Sequence, residues 1–325
     1  ELLQKMGDRF DAVTVSTPDH MHSPIAMTMM QAKKHVYVQK PLAHTIGEVR
    51  LMKKQAWDSG VVAAMGNQGH ANEGTRLQYE WIRSGLIGNV REVHAWTNRP
   101  IWPQGVEDWY EAQDIPEALD WDLWLGVSQK RDYNAAYVPF KWRGYFEWGA
   151  GAIGDMAVHT LDAIFKALDL KGDCRVSAET DGMTEISWPK GAKVTFEFPE
   201  RDGRAPLKLV WFEGSMKPPR PDGLGKDEEG KDAVLSPTGG SVYYGDKGVL
   251  YNSHSHNNAA PRLLPEAAMA AAKADGLLPP KTLPRAPRGN AYHQWIKACR
   301  GELESTSDIG DSAAEITELA LLGNL

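Results

Sequence analysis

Phe10-Asp11-Ala12-Val13-Thr14-Val15-Ser16-Thr17-Pro18 decides the fold. It is a short β-branched run closed by a proline and followed by an apolar helical pattern over residues 25–30, which reads as a buried strand leading into a helix. The pattern then repeats. His35-Val36-Tyr37-Val38 ends in Gln39-Lys40-Pro41, a helix is expected from Ile46 to about Trp57, and Val61-Val62-Ala63-Ala64-Met65 ends in Gly66-Asn67. Strand, helix, strand, helix, strand with short loops predicts a parallel sheet with right-handed crossovers. In such sheets functional residues gather at the carboxyl ends of the strands, which here hold Thr17-Pro18, Gln39-Lys40-Pro41 and Asn67.

Beyond an amphipathic helix at 73–84, Val90 to Trp96 opens a sheet of another kind, and residues 100–126 form a loop rich in Trp and Pro. Period-2 segments at 175–179, 182–188, 192–198 and 207–212 predict a mostly antiparallel sheet, joined by a hairpin of 241–244 with 248–251. Residues 218–240 read as a surface loop, 267–274 as an Ala-rich helix, and 290–300 and 312–322 as closing helices. The expected fold is α/β. An incomplete doubly wound, Rossmann-type parallel sheet occupies 1–68, an α+β domain with a large, mostly antiparallel open sheet occupies 69–289, and 290–325 pack back near the seam.

The chemistry centres on Trp148-Gly149-Ala150-Gly151-Ala152-Ile153-Gly154-Asp155-Met156-Ala157-Val158-His159. Asp155 and His159 stand four apart, so they leave the same helical face one turn from each other. A carboxylate so placed can fix an imidazole's tautomer or stabilise its cation. Gly149-x-Gly151-x-x-Gly154 also fits the dinucleotide fingerprint, with Asp173 and Glu179 near the distance of a ribose-binding acid. The aromatic and charged run Lys141 to Trp148 argues against that, because the fingerprint needs a buried strand before its first glycine.

The 325 residues, 42% hydrophobic and 24% charged, are enough for two ordinary domains. A net charge of -7 without a basic cluster argues against nucleic acid and anionic membrane as partners. Only Cys174 and Cys299 are present, so neither a disulfide framework nor a cysteine metal site is expected. His20-Met21-His22 and His254-Ser255-His256 pair imidazoles but offer no third ligand, and no metal is expected. Trp81, Trp96, Trp102, Trp109, Trp121, Trp124, Trp142 and Trp148 crowd between 81 and 148; most are expected in the core, with about two or three lining a pocket suited to a sugar face.

With these pieces placed, the chain resembles the glucose-fructose oxidoreductase, inositol dehydrogenase and rhizopine-catabolism family (Gfo/Idh/MocA). The resemblance runs through residues 11–18 with His22, Val36-Tyr37-Val38-Gln39-Lys40-Pro41, Gly66-Asn67, Gly154 to His159 and Cys299-Arg300-Gly301, and covers nearly the whole chain. It implies hydride transfer between NAD or NADP and a carbohydrate or polyol, with Lys40 and His159 as the catalytic pair and Asp155 as assisting carboxylate. By the same resemblance Thr17, Pro18, His22, Gln39, Lys40 and Asn67 border the nicotinamide half of the cofactor. Arg143, with Trp142 and His159, faces the substrate.

Two departures stand out. Gln39 occupies a position where the family usually has glutamate, and the family's glycine fingerprint has no counterpart ahead of Asp11. The sequence opens without Met and stops just past a helical pattern, which suggests a fragment, expected by itself to bind the cofactor poorly. The Trp-rich insert and Trp142-Arg143-Gly144 resemble a subgroup often carrying twin-arginine export signals, so a cytoplasmic or a periplasmic location is implied. A homodimer or tetramer through the open sheet face is expected. Alternatives using the same parts are an NAD-dependent glycosidase and a catalytically idle sugar-binding or structural homologue.

Overall fold

The computed structural model describes residues 1–325 apart from 258, 287, 288 and 306. After a short helix α1 (Leu2–Met6), β1 (Ala12–Val15), α2 (His22–Gln31), β2 (His35–Val38), α3 (Ile46–Ser59) and β3 (Ala63–Met65) follow in order. The three strands are parallel and adjacent in sequence order, with Thr14 beside Tyr37 and Tyr37 beside Ala64. Two right-handed crossovers stepping in one direction put their helices on one face, and α2 packs on α3. The period of two then sorts the side chains. Val36, Val38, Ala63 and Met65 join the core formed with Ala26, Met30, Val49 and Met52, while Tyr37 and Ala64 turn to the other face and pack with Trp295. A Thr45/Glu48 capping box starts α3, and Gly60 in the left-handed region ends it.

Next come α4 (Glu73–Arg83), β4 (Val90–Thr97), α5 (Trp121–Leu125), α6 (Gly151–Leu168), β5 (Arg175–Asp181), β6 (Gly191–Phe198), β7 (Leu207–Gly214), β8 (Gly239–Gly245), β9 (Val249–Asn252), β10 (Arg262–Leu264), α7 (Glu266–Ala274), α8 (Ala291–Cys299) and α9 (Ala314–Leu322). The ten strands form the parallel sheet and a seven-stranded sheet in the order β10-β9-β8-β4-β7-β6-β5. Within the larger sheet, among the described residues, β4 and β7 run parallel and the other neighbouring pairs antiparallel. The expected hairpin is β8 with β9, Tyr243 opposite Leu250.

Three details differ from the sequence reading. Residues 182–188, expected as a strand, belong to the connection between β5 and β6, whose pairing closes at Asp181 and Gly191. There Gly182 has φ +69°, and the segment leaves the sheet so that Ser187 Oγ can donate to Gly144 O (2.8 Å). β10 was not foreseen. The outer sheet face, expected to be open to a partner copy, is partly covered by the chain's own 217–237 loop: Leu224 packs with Trp96, Phe212 and Tyr251, and Trp96 Nε1 donates to Ser236 O (3.0 Å).

On the inner face lies α6, an internal helix buried at every residue but Lys166, its polar Asp155, His159 and Asp162 included. Val93, Ala95, Leu209, Trp211 and Tyr243 of the sheet share its core, and each large apolar side chain so buried contributes roughly 1.5–3 kcal/mol. On the same inner face as Trp211, Glu213 is buried with the Trp211 Nε1–H donated to it (2.8 Å); burial pushes its pKa up to about 8. α9 packs on both α3 and α6. Residues 307–308 run beside β3, with Met65 N–H donating to Ser307 O (2.9 Å).

The Trp-rich insert makes its own core. Trp121, Tyr133, Tyr137, Trp142, Tyr145 and Trp148 form one buried cluster, joined at its edge by Trp109 and Trp124.

Candidate active site

The site forms where the carboxyl ends of β1, β2 and β3 meet the amino-terminal half of α6. The bend into α6 needs its glycines. A Cβ on Gly149 would come within 2.6 Å of Arg143 Cα, and Gly151 has φ +66° with the Trp188 ring against it. After β1, Asp19 is buried and its Oδ2 accepts from Ala150 N–H (3.0 Å). Burial is the main cause of its pKa rising to about 6, with the Asp155 charge adding a smaller push.

After β2, Lys40 Nζ donates to Asp155 Oδ1 (2.5 Å) and to Asp155 O (3.1 Å). Arg143 Nε lies 3.5 Å from the same oxygen. The carboxylate is therefore committed to two cations and does not orient His159, contrary to the expectation from the four-residue spacing. An ammonium and a guanidinium are stronger partners for a carboxylate than a neutral imidazole.

His159 is oriented by Asn67, after β3. Asn67 Nδ2 donates to Val158 O (2.8 Å), so its Oδ1, 2.8 Å from His159 Nδ1, must be the acceptor. That fixes the proton on Nδ1 and leaves the lone pair on Nε2. Among the described residues none hydrogen-bonds Nε2, and His159 is 1% exposed. Burial, then the positive charges of Lys40, His256 and Arg99, hold the His159 pKa well below the usual imidazole range. The ring is accordingly neutral and in one tautomer, with burial and the surrounding positive charges opposing its protonation.

The other expected site residues divide. Lys40, Arg143, Asp155 and His159 are brought together. Thr17 Oγ1 is buried without a partner among the described residues, and the Gln39 amide lies so close over Gly66 that a Cβ there would come within 2.9 Å of it. Pro18 follows at the same edge, leading into the turn Asp19–Met21. His22 is 1% exposed, with Nε2 2.8 Å from Thr17 O and Nδ1 2.7 Å from Pro41 O; it staples two strand ends from behind. Asn67, also 1% exposed, spends its amide on α6. Trp142 departs from its expected place against the substrate: it is buried in the aromatic cluster, its Nε1 donates to Pro139 O (3.1 Å), and Arg143 lies over its ring. It backs the arginine.

Three residues around the site were not singled out from the sequence for this chemistry: Asp19 and Arg99 belong to no motif, and His256 was weighed only as a metal ligand. His256 packs on His159 with ring centroids 4.5 Å apart. Among the described residues no group of three or more His, Cys, Asp or Glu is arranged to hold a metal ion. One turn beyond His159, buried Asp162 accepts from His70 Nδ1 (2.9 Å), a second tie from the β3 end to α6.

Residues 1–67 match the description "Oxidoreductase family, NAD-binding Rossmann fold", and residues 83–199 match its companion, "Oxidoreductase family, C-terminal alpha/beta domain". Levoglucosan dehydrogenase of Pseudarthrobacter phenanthrenivorans is 25% identical over 150 residues, 46% of this chain and 31% of that protein. The 1,5-anhydro-D-fructose reductase of Ensifer adhaerens is 27% identical over 158 residues, 47% of this chain and 36% of that protein. The chain thus spans about a third of the length of these curated relatives. The solved WlbA dehydrogenase from Bordetella pertussis, in complex with NADH and UDP-GlcNAcA, shares the fold with a TM-score of 0.59 at 19% identity, covering 98% of this chain and 77% of that one. With both of its domains matched in chain order, the chain belongs to the Gfo/Idh/MocA oxidoreductase family.

Proposed function

We propose that the protein is an NAD(P)-dependent oxidoreductase transferring hydride between a nicotinamide cofactor and a sugar, sugar derivative or cyclitol. The observation that carries this is the meeting of Lys40 with Asp155, 115 residues apart, one helical turn from an imidazole whose tautomer is fixed. Oxidising an alcohol needs a base for the hydroxyl proton and a cation for the developing alkoxide. His159 Nε2 is placed to take the proton. The Lys40 ammonium steadies the alkoxide, with Asp155 holding it in place, and Arg143 faces the substrate hydroxyls.

The strand ends suit a nicotinamide. Thr17 Oγ1 is an unspent hydroxyl and Gln39 presents a carboxamide beside Gly66, so Thr17, Pro18 and Gln39 would hold the ring end of the cofactor. When bound, NAD or NADP supplies the hydride acceptor. The chain's own part is to bind and orient the sugar, exclude water and hold the proton at Nε2.

The test is turnover of a panel of sugars and cyclitols by the protein and its Lys40→Ala and His159→Ala variants, following both NADH and products. Losing an electrostatic or acid–base group costs about 100- to 1000-fold in kcat. Undiminished turnover in Lys40→Ala would leave an idle homologue, and cleaved glycoside without net NADH would replace the dehydrogenase by the redox-neutral glycosidase.

A further inference from the structure

Near the two imidazoles stands a cation that no carboxylate among the described residues neutralises. Lys40 and Arg143 share Asp155, and the Asp19 carboxylate is spent on Ala150 N–H. Arg99, two residues beyond β4, makes no ion pair with any carboxylate among the described residues; its guanidinium donates only to the neighbouring Asn98 Oδ1 (2.5 Å). Its backbone is held in place, since Gly214 N–H donates to Arg99 O (2.8 Å).

The sheet brings the end of β4, two residues before Arg99, beside the loop that carries His256. Thr97 pairs with Gly239, a Cβ on Gly239 would come within 2.9 Å of Ser255 Cβ, and Thr160 Oγ1 donates to Ser255 O (3.1 Å). The next residue, His256, lies on His159. The positive charge of Arg99 is felt by both imidazoles.

We infer that Arg99 is a specificity residue and that the carbohydrate taken by this cleft carries a carboxylate, seated on the Arg99 guanidinium beside Asn98. This rests on the cleft being the substrate site of the proposed oxidoreductase. A half-buried guanidinium without a counter-charge is poorly solvated, and a carboxylate matches its planar fork with two parallel hydrogen bonds. A bound carboxylate also offsets the positive field that opposes proton uptake at His159.

The experiment is calorimetric titration of the protein, Arg99→Met and Arg99→Lys with uronic and aldonic acids, the neutral sugars of the same skeletons, and the corresponding sugar phosphates. The acids are expected to bind roughly 10- to 100-fold more tightly than the neutral sugars. Arg99→Met should abolish that preference without weakening neutral sugars, and Arg99→Lys should keep part of it, which excludes misfolding as the cause. Equal binding of acids and neutral sugars, a preference that survives Arg99→Met, or a preference for the phosphates overturns the inference. Binding needs no hydride transfer, so the two readings fail separately. Acids that bind without turnover count against the oxidoreductase, whereas turnover of neutral sugars untouched by Arg99→Met counts against the role of Arg99 alone.

Discussion

Replacing Asn67 by aspartate tests the proton-accepting role of His159 more sharply than removing the imidazole. In the protein the Asn67 amide oxygen accepts the Nδ1 proton at 2.8 Å and carries no net charge. With the His159 pKa well below the usual imidazole range, Nε2 is unprotonated from pH 6.5 upward and kcat/KM should be flat there. A carboxylate in the amide's place still accepts the Nδ1 proton but stabilises the imidazolium. Opposite charges at hydrogen-bond distance move such equilibria by about 1–3 pH units, or roughly 1.4–4 kcal/mol. The acid limb of the variant's kcat/KM profile should therefore lie about 1–3 pH units above that of the protein, with activity lost towards the acid end and returning as pH increases. The assay is initial-rate NADH formation between pH 5.5 and 9.5 for both proteins. A merely structural loss lowers the whole curve. Parallel profiles of protein and variant would refute the assignment of His159 as proton acceptor poised by Asn67.

Glu213→Gln should stabilise the protein increasingly with pH. Between the ordinary carboxyl value of 4.5 and the folded value of about 8, the native state holds a proton that the unfolded chain has released, so native stability falls as pH rises; urea melts at pH 5.5 and 7.5 should diverge between the two proteins by about 2–3 kcal/mol, and parallel melts would refute it. Trp148→Ala removes the centre of the aromatic cluster, a side chain 0% exposed, and should cost about 3–5 kcal/mol in chemical denaturation. Thr17→Val leaves stability nearly unchanged because the hydroxyl has no partner among the described residues, yet should weaken NADH by roughly 2- to 12-fold in a fluorescence titration.

The parallel unit was legible because its strands are short apolar runs ended by Pro or Gly, and the positions of Lys40 and His159 followed from motif and spacing. Partners were not legible. Spacing put Asp155 and His159 on one helical face, but which group each side chain bonds was decided by residues arriving from other strands, Lys40 for one and Asn67 for the other. Residues 182–188 alternate like a strand, yet Gly182 and the pull of the insert take them out of the sheet. Trp142 carries the same residue type whether it lines a cleft or fills a cluster, so composition could not place it.

The parallel sheet is stitched to α6 at four levels: Asp19 to Ala150, Lys40 to Asp155, Asn67 to Val158 and His159, and His70 to Asp162. At 1.5 Å per residue these ties span about 18 Å of helix. Any swing of one sheet relative to the other would have to shear all of them together, several in surroundings with little water to take their place. Hinge opening at this seam is thereby opposed by every one of these ties at once.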